Sequence, residues 1–471
     1  MTSKFLRLAA IAAIALGLSA CADDPGENVV DVTDFAIRFI HAVADAPPVD
    51  IELRGARQGL DVTDLDFKQA TNLRDLSLEG GSATVEVLAQ VPGGTASVVP
   101  ATALSFDDAT VYTVIAIGEA DPASMNPLGP LVLASPDTPV TAGNVRVQVV
   151  HGAPNAGEVD VYVTGPNDDL LPLDPLGTFE FGGDLGPVQV PADDYRIRVV
   201  DPTDMTKTPL FDSGTVPLPA GADLVVVAVE NTNVGAGDMG QSPISLAVSA
   251  DPNIESFEIV DVNTQAAFRA AHFSPDTPPV NVLIDDDMMA PNLVELNNVP
   301  YPVISGFVEA PGGAYNIKIE LASNPGAYAI DEDVTLVAGK RYSVYAADYT
   351  AGLIADGLYI LEDDFRSLAT GAKVRIVHLA PGAGLVDIYV TPAGSGIVNA
   401  TPAFAGVDFK DETGYVQLDA GMYDVDVTLA GTQTVAISET IDVAIGGVYT
   451  ALARDAAGAG APYEVEVLVE L

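Results

Sequence analysis

The four histidines of this 471-residue chain, His41, His151, His272 and His378, are each followed at an offset of nine by a carboxylate or its amide: Asp50, Asp160, Asn281 and Asp387. An imidazole beside a carboxylate can act as general base, proton relay or part of a metal site. Catalysis by such a pair also needs a nucleophile or a water-activating metal. Serine stands near the histidine only as Ser274, and no cysteine, second histidine or second carboxylate keeps step with the pair in all four places. The spacing therefore predicts a fold-defining network rather than a ligand site, and no catalytic residue is assigned. The histidine closes one strand, a turn follows, and the aspartate lies on the returning strand, where the two could hydrogen-bond and fix the loop. Arg38, Arg269 and Arg375 stand three residues before their histidines, placed to pair with a carboxylate.

Acidic clusters are the second source of chemistry: Asp285-Asp286-Asp287, Asp331-Glu332-Asp333, Glu362-Asp363-Asp364, and Asp61 with Asp64 and Asp66. Calcium takes six to eight oxygens, so Asp285, Asp286, Asp287, Asp331 and Asp333 are weak candidates for a calcium site. None follows the EF-hand layout, and solvated loops are the preferred reading. No other cofactor is implied. Gly458 and Gly460 lie between two strand-like runs, which predicts a hairpin loop and not a phosphate cradle. Tyr112, Tyr342 and Tyr449 open corresponding strands and suit packing, and a chain without tryptophan makes a poor carbohydrate platform.

The single cysteine, Cys21, rules out an intramolecular disulfide. Before it, Lys4 and Arg7 precede an apolar run to about Leu18, the layout of a secretory signal and too short for a comfortable transmembrane span. Leu18-Ser19-Ala20-Cys21 resembles the lipobox of bacterial lipoproteins, in which cleavage precedes a lipidated cysteine; an ordinary signal cleaved near Ala22 is the alternative. By that resemblance, Ala22 implies export to the outer membrane, at its periplasmic or surface face. The lipid anchor makes the membrane a partner, and residues 22–32 read as a polar tether.

Sixty-six acidic residues against twenty lysines and arginines give a net charge of −46. Such a surface repels nucleic acid and anionic headgroups. Solubility in a saline medium, divalent-cation binding and attraction to a basic partner all suit it.

The elements that must position these residues recur four times. The opening run reads IRFIHAVADAPPVDIEL from Ile37, VRVQVVHGAPNAGEVDVYV from Val145, FRAAHFSPDTPPVNVLI from Phe268 and VRIVHLAPGAGLVDIYV from Val374. A second run starts at Ala83, Tyr195, Tyr315 and Tyr423, and a third at Tyr112, Leu224, Tyr342 and Tyr449. Apolar and polar residues alternate, Val, Ile and Tyr dominate, and Gly, Pro, Asp and Asn punctuate. The pattern predicts an all-β chain of four tandem antiparallel β-sandwich domains of immunoglobulin or transthyretin-like type. A closed barrel is the runner-up. The boundaries read 1–20 signal helix, removed on export; 21–35 lipidated cysteine and tether; then sandwiches at 36–140, 141–262, 263–371 and 372–471. Short proline-containing joints suggest beads on a string reaching roughly 130 Å end to end.

The H-x-x-P-x-x-x-x-V-D-V-Y-V element resembles the bacterial domain of unknown function numbered 4397. The third copy departs from it at Asn281 and the first at Ala44. The resemblance implies a β-sandwich domain of exported proteins and carries no activity. The expected function is non-enzymatic: an envelope-anchored repeat lipoprotein of structural or adhesion type, meeting envelope or extracellular macromolecules. A ligand- or calcium-binding surface module is the alternative, and a hydrolase is third.

Overall fold

The computed structural model describes residues 32–80, 82–232, 241–251, 254–285 and 294–471; the export segment, Cys21, most of the tether, Asp286 and Asp287 lie outside them. The first sandwich sets the pattern. Its strands are β1 (Val32–His41), β2 (Val49–Arg54), β3 (Leu60–Leu65), β4 (Arg74–Glu79), β5 (Ser82–Val91), β6 (Gly94–Ser105), β7 (Thr110–Ile117) and β8 (Gly129–Pro136). They form two sheets, in the orders β4-β1-β7-β8 and β3-β2-β5-β6. The same plan recurs three times, with β1 equivalents Asn144–His151, Gln265–Phe273 and Ala372–Leu379. Each sandwich closes on its own apolar core, drawn from both sheets. The chain is all-β apart from one short helix among the described residues, Thr350–Asp356.

Two features of the expected fold are corrected. The sheets are not wholly antiparallel: β1 runs parallel to β7, with Ile37 opposite Tyr112, and Val147–Leu224, Phe268–Tyr342 and Val374–Tyr449 repeat that register. A parallel neighbour needs a long connection. The chain supplies one by building five other strands between β1 and β7.

Nor are the domains beads on a string. On β1, Phe35, Ile37 and Phe39 enter the first core, while Ile40 faces the other way and joins Ile115 against Val150, Val225, Val227 and Val229 of the second sandwich. The third and fourth sandwiches pack alike, with Ala271, Phe273, Tyr345, Ala347 and Leu361 against Val377, Leu379 and Leu452. Each pair is thus a four-layer stack whose inner sheets are buried on both faces. Their strands need apolar residues at consecutive positions, as in Val225-Val226-Val227-Ala228-Val229, where simple alternation would leave one face wet. Full burial of each large side chain contributes about 1.5–3 kcal/mol, which outweighs the freedom of a short joint.

The two pairs also meet. Arg366, in the joint between the third and fourth sandwiches, donates to the carbonyls of Ala44 (3.2 Å) and Ala46 (2.6 Å) in the first histidine loop and to Asp66 (2.5 Å). The tyrosines opening the β7 strands do pack, and they also anchor. The Tyr112, Tyr342 and Tyr449 hydroxyls accept N–H bonds from Asp107 (2.9 Å), Val337 (3.3 Å) and Ala444 (3.1 Å), each five residues upstream. Gly458 and Gly460 lie, as expected, in a loop between antiparallel strands, both at positive φ.

Candidate functional site

Each histidine is the last or next-to-last residue of a β1-type strand, on its core-facing side, and the loop that follows folds back over the ring. Nε2 bonds the carbonyl six residues on: Pro47 for His41 (3.1 Å), Gly157 for His151 (2.6 Å), Pro278 for His272 (3.3 Å) and Gly384 for His378 (2.8 Å). A carbonyl only accepts, so these partners assign the proton to Nε2 and leave Nδ1 an acceptor. Nδ1 of His41, His272 and His378 takes the N–H two residues on, from Val43 (3.3 Å), Ser274 (3.4 Å) and Ala380 (3.3 Å). Burial holds all four imidazoles below their ordinary pKa of 6.5, so they are neutral.

The expected bond from histidine to the residue nine positions on is replaced by a different arrangement. In three copies that residue sits opposite a β-bulge and accepts the amide of a bulge residue at positive φ. Asp50 takes the N–H of Asp64 (3.0 Å), Asn281 that of Asn298 (2.9 Å), and Asp387 that of Gly406 (2.8 Å). The register slips beside each of them. A bulge leaves an N–H unpaired in the ladder, and a carboxylate one strand away satisfies it. In the second copy the register runs through unbroken, and Asp160 accepts the Thr178 hydroxyl instead (2.5 Å). Asp387 also takes the N–H of Gly431 (2.7 Å). Asp387→Ala strands two amides and is expected to destabilise the fourth sandwich by about 2–3 kcal/mol, read as a lower denaturant midpoint.

The arginines three residues before the histidines face the partner sandwich. Arg269 grips Glu470 with both terminal nitrogens (2.9 and 2.6 Å) and donates Nε to Ser343 (2.7 Å). Arg375 reaches back to Asp363, whose side chain is fully buried and also accepts the Ser343 hydroxyl (2.6 Å). The two arms are reciprocal, each running from a β1-type strand of one sandwich to the β8-type strand of the other. In the first pair Arg38 bonds Asp251 (3.0 Å) and Thr113 (2.9 Å), but the return arm is missing, because the second sandwich has Gln148 in place of arginine.

The same contacts account for the acidic clusters. Glu362, Asp363 and Asp364 pair with three different cations: Lys340 (2.6 Å), Arg375 and Lys373 (2.6 Å). Asp66 pairs with Arg366 and Asp61 with Arg54. Asp331 and Asp333 lie on strand Tyr328–Leu336 and not in a loop, where both accept from Asn316 at 2.9 Å. Asp285 ends strand Val280–Asp285. Among the described residues no three histidines, cysteines or carboxylates gather as a metal would require. Lys373, desolvated beside Asp364, has its pKa lowered to about 8. None of the described helices is long and apolar enough to cross a membrane.

Sequence reasoning missed Arg146, Asp223, Asp251, Arg366 and Glu470. Asp223, Asp251, Arg366 and Glu470 fall outside the repeated motif and pair with a residue of another sandwich, while Arg146 pairs with Asp223 within the second. The arginine series was placed by the sequence to pair with a carboxylate, and Arg38, Arg269 and Arg375 each do so, on the strand face opposite the histidine.

A family model described as a domain of unknown function (DUF4397) matches residues 35–162 and 266–389, together more than half of the chain. Each match covers one sandwich and reaches into the second strand of the next, so each spans two histidine loops. No curated protein matches. Among solved structures, the Bacillus anthracis TIE protein aligns at 10% identity and a TM-score of 0.15, over 90% of this chain and 74% of that one. BcpA, the major pilin subunit of Bacillus cereus, aligns at 10% identity and 0.12, over 67% and 99%. The pilus adhesin SpaC from Lactobacillus rhamnosus GG gives 10% and 0.14, over 90% and 56%. At such TM-scores none of the three bears on what this chain does.

Proposed function

The chain belongs to the DUF4397 family, and on that premise we propose that it is an exported, lipid-anchored structural protein of the cell envelope, presenting two rigid pairs of β-sandwiches to neighbouring macromolecules. All four sandwiches are read as copies of the family domain. The observation that carries the non-enzymatic reading is where the reactive side chains go. Every histidine is buried and bonded to its own loop, and the residues nine positions on are spent on bulges and strand pairing. Paired sandwiches with dry interfaces resist bending better than single domains on short joints, which suits a spacer or adhesion-type stalk.

Among the described residues seven lysines and arginines are buried: Arg38, Arg146, Arg198, Arg269, Arg366, Lys373 and Arg375. Eight acidic residues are buried with them, so burial leaves the surface about as negative as the composition states, which supports partners with basic faces and disfavours nucleic acid.

Anchoring rests on Cys21 and the resemblance of its flank to a lipobox. Cys21→Ser is expected to move the chain from the membrane fraction to the soluble fraction and to end incorporation of labelled fatty acid. A chain that stays on the membrane without label would sink the anchor, leaving the stalk reading to be tested by its stiffness in scattering.

A further inference from the structure

The core of the second sandwich encloses an apolar cavity of about 120 Å³, lined among others by Val147, Val161, Ile197, Leu224, Val226 and His151. The corresponding space in the third sandwich is about 10 Å³. The difference traces to sequence. The other three copies fill this region from β7 with Tyr112, Tyr342 or Tyr449, and the second has Leu224. Five residues upstream, where the other copies supply an N–H to the tyrosine hydroxyl, it has Pro219, which has none to give. Ring and donor are lost together.

One residue of the cavity lining, His151, also carries an unsatisfied polar atom. His151 is 3% exposed, its Nε2 is committed to Gly157, and its Nδ1 has no partner, whereas the other three histidines fill that position with a backbone N–H. A buried acceptor without a donor keeps its desolvation cost uncompensated, so a molecule that brings a donor gains from it. An apolar cavity of roughly 150 Å³ stays dry and takes up benzene, which sets the size of the occupant.

We propose that the second sandwich binds a small apolar molecule, about the size of a benzene ring and bearing one hydroxyl, with the ring against the valines and the O–H donated to His151 Nδ1. This goes beyond the envelope role and does not depend on the anchor. Phenol and benzene are the probes, titrated by calorimetry into the full chain at neutral pH, with histidine ¹⁵N shifts recorded by NMR. Saturable phenol binding, about fivefold tighter than benzene, with the Nδ1 resonance of His151 moving and the other three unmoved, is the expected result. Leu224→Phe fills the space and is expected to abolish it. Absence of saturable binding, equal affinity for both probes, or phenol binding that survives Leu224→Phe would each overturn the proposal. If that variant does not fold, the His151 shift in the unaltered chain decides the matter alone.

Discussion

Replacing Arg375 by methionine is expected to cost about 3–5 kcal/mol, among the largest effects of any single change in this chain. Asp363 lies with its side chain wholly buried between the third and fourth sandwiches, ion-paired to Arg375 and 3.8 Å from a terminal nitrogen of Arg269. Arg269 is already held by Glu470, so it cannot swing over to replace the lost partner. A carboxylate stripped of its ion pair in a dry interface keeps its desolvation cost and loses most of what offsets it. The double change Arg375→Met with Asp363→Leu removes both charges and is expected to restore most of the loss, since a buried pair adds little over well-packed apolar residues. Urea denaturation followed by circular dichroism measures both variants. A single-variant cost below about 1 kcal/mol, within the range of exposed pairs, would mean that water reaches Asp363 and that the sandwiches are not fused.

The repeat that carries this interface was legible in the sequence, and the interface was not. Histidines in register at His41, His151, His272 and His378 identified four copies and the strand ends that hold them. Alternating runs such as Tyr423-Asp424-Val425-Asp426-Val427 identified strands. What alternation cannot convey is a strand with two dry faces. That Arg38, Arg269 and Arg375 would pair with a carboxylate was legible from their place on β1, but not that the carboxylate comes from another domain. The same blindness affected the acidic clusters: Glu362, Asp363 and Asp364 are consecutive, yet their side chains diverge to three cations, Lys340 at the start of strand Arg341–Ala347 and Lys373 and Arg375 on strand Ala372–Leu379. The bulge role of Asp50, Asn281 and Asp387 was hidden for a related reason. A bulge is set by its partner strand, and those partners share no motif that a single sequence displays.

Acidification between pH 6.5 and 5 is expected to destabilise the chain steeply, with a slope approaching about 1.4 kcal/mol per pH unit for each histidine. The sign follows from burial. Each folded imidazole has its pKa pushed below 6.5 by desolvation, and its bond to a backbone carbonyl only partly offsets this. Above pH 6.5 neither state binds the proton, and the contribution is fully present. Below it the unfolded chain takes up protons that the folded chain refuses, so stability falls as the pH drops toward the folded values. Four such groups act together if the sandwiches unfold as one, giving a slope near 5 kcal/mol per unit at its steepest. Carboxylates with lowered pKa, such as Asp204 and Glu320, act in the same sense but mainly below this window, because their loss begins at the ordinary values of 3.8 and 4.5. Glu230, raised by burial, works in the opposite sense as a single group against four. Denaturant midpoints across this range give the proton count directly. His378→Gln keeps a side-chain donor for Gly384 and is expected to lower that count by one. A flat profile from pH 7 to 5 would mean that the loops open freely to water, and the histidines would then be available for the chemistry that their burial withholds.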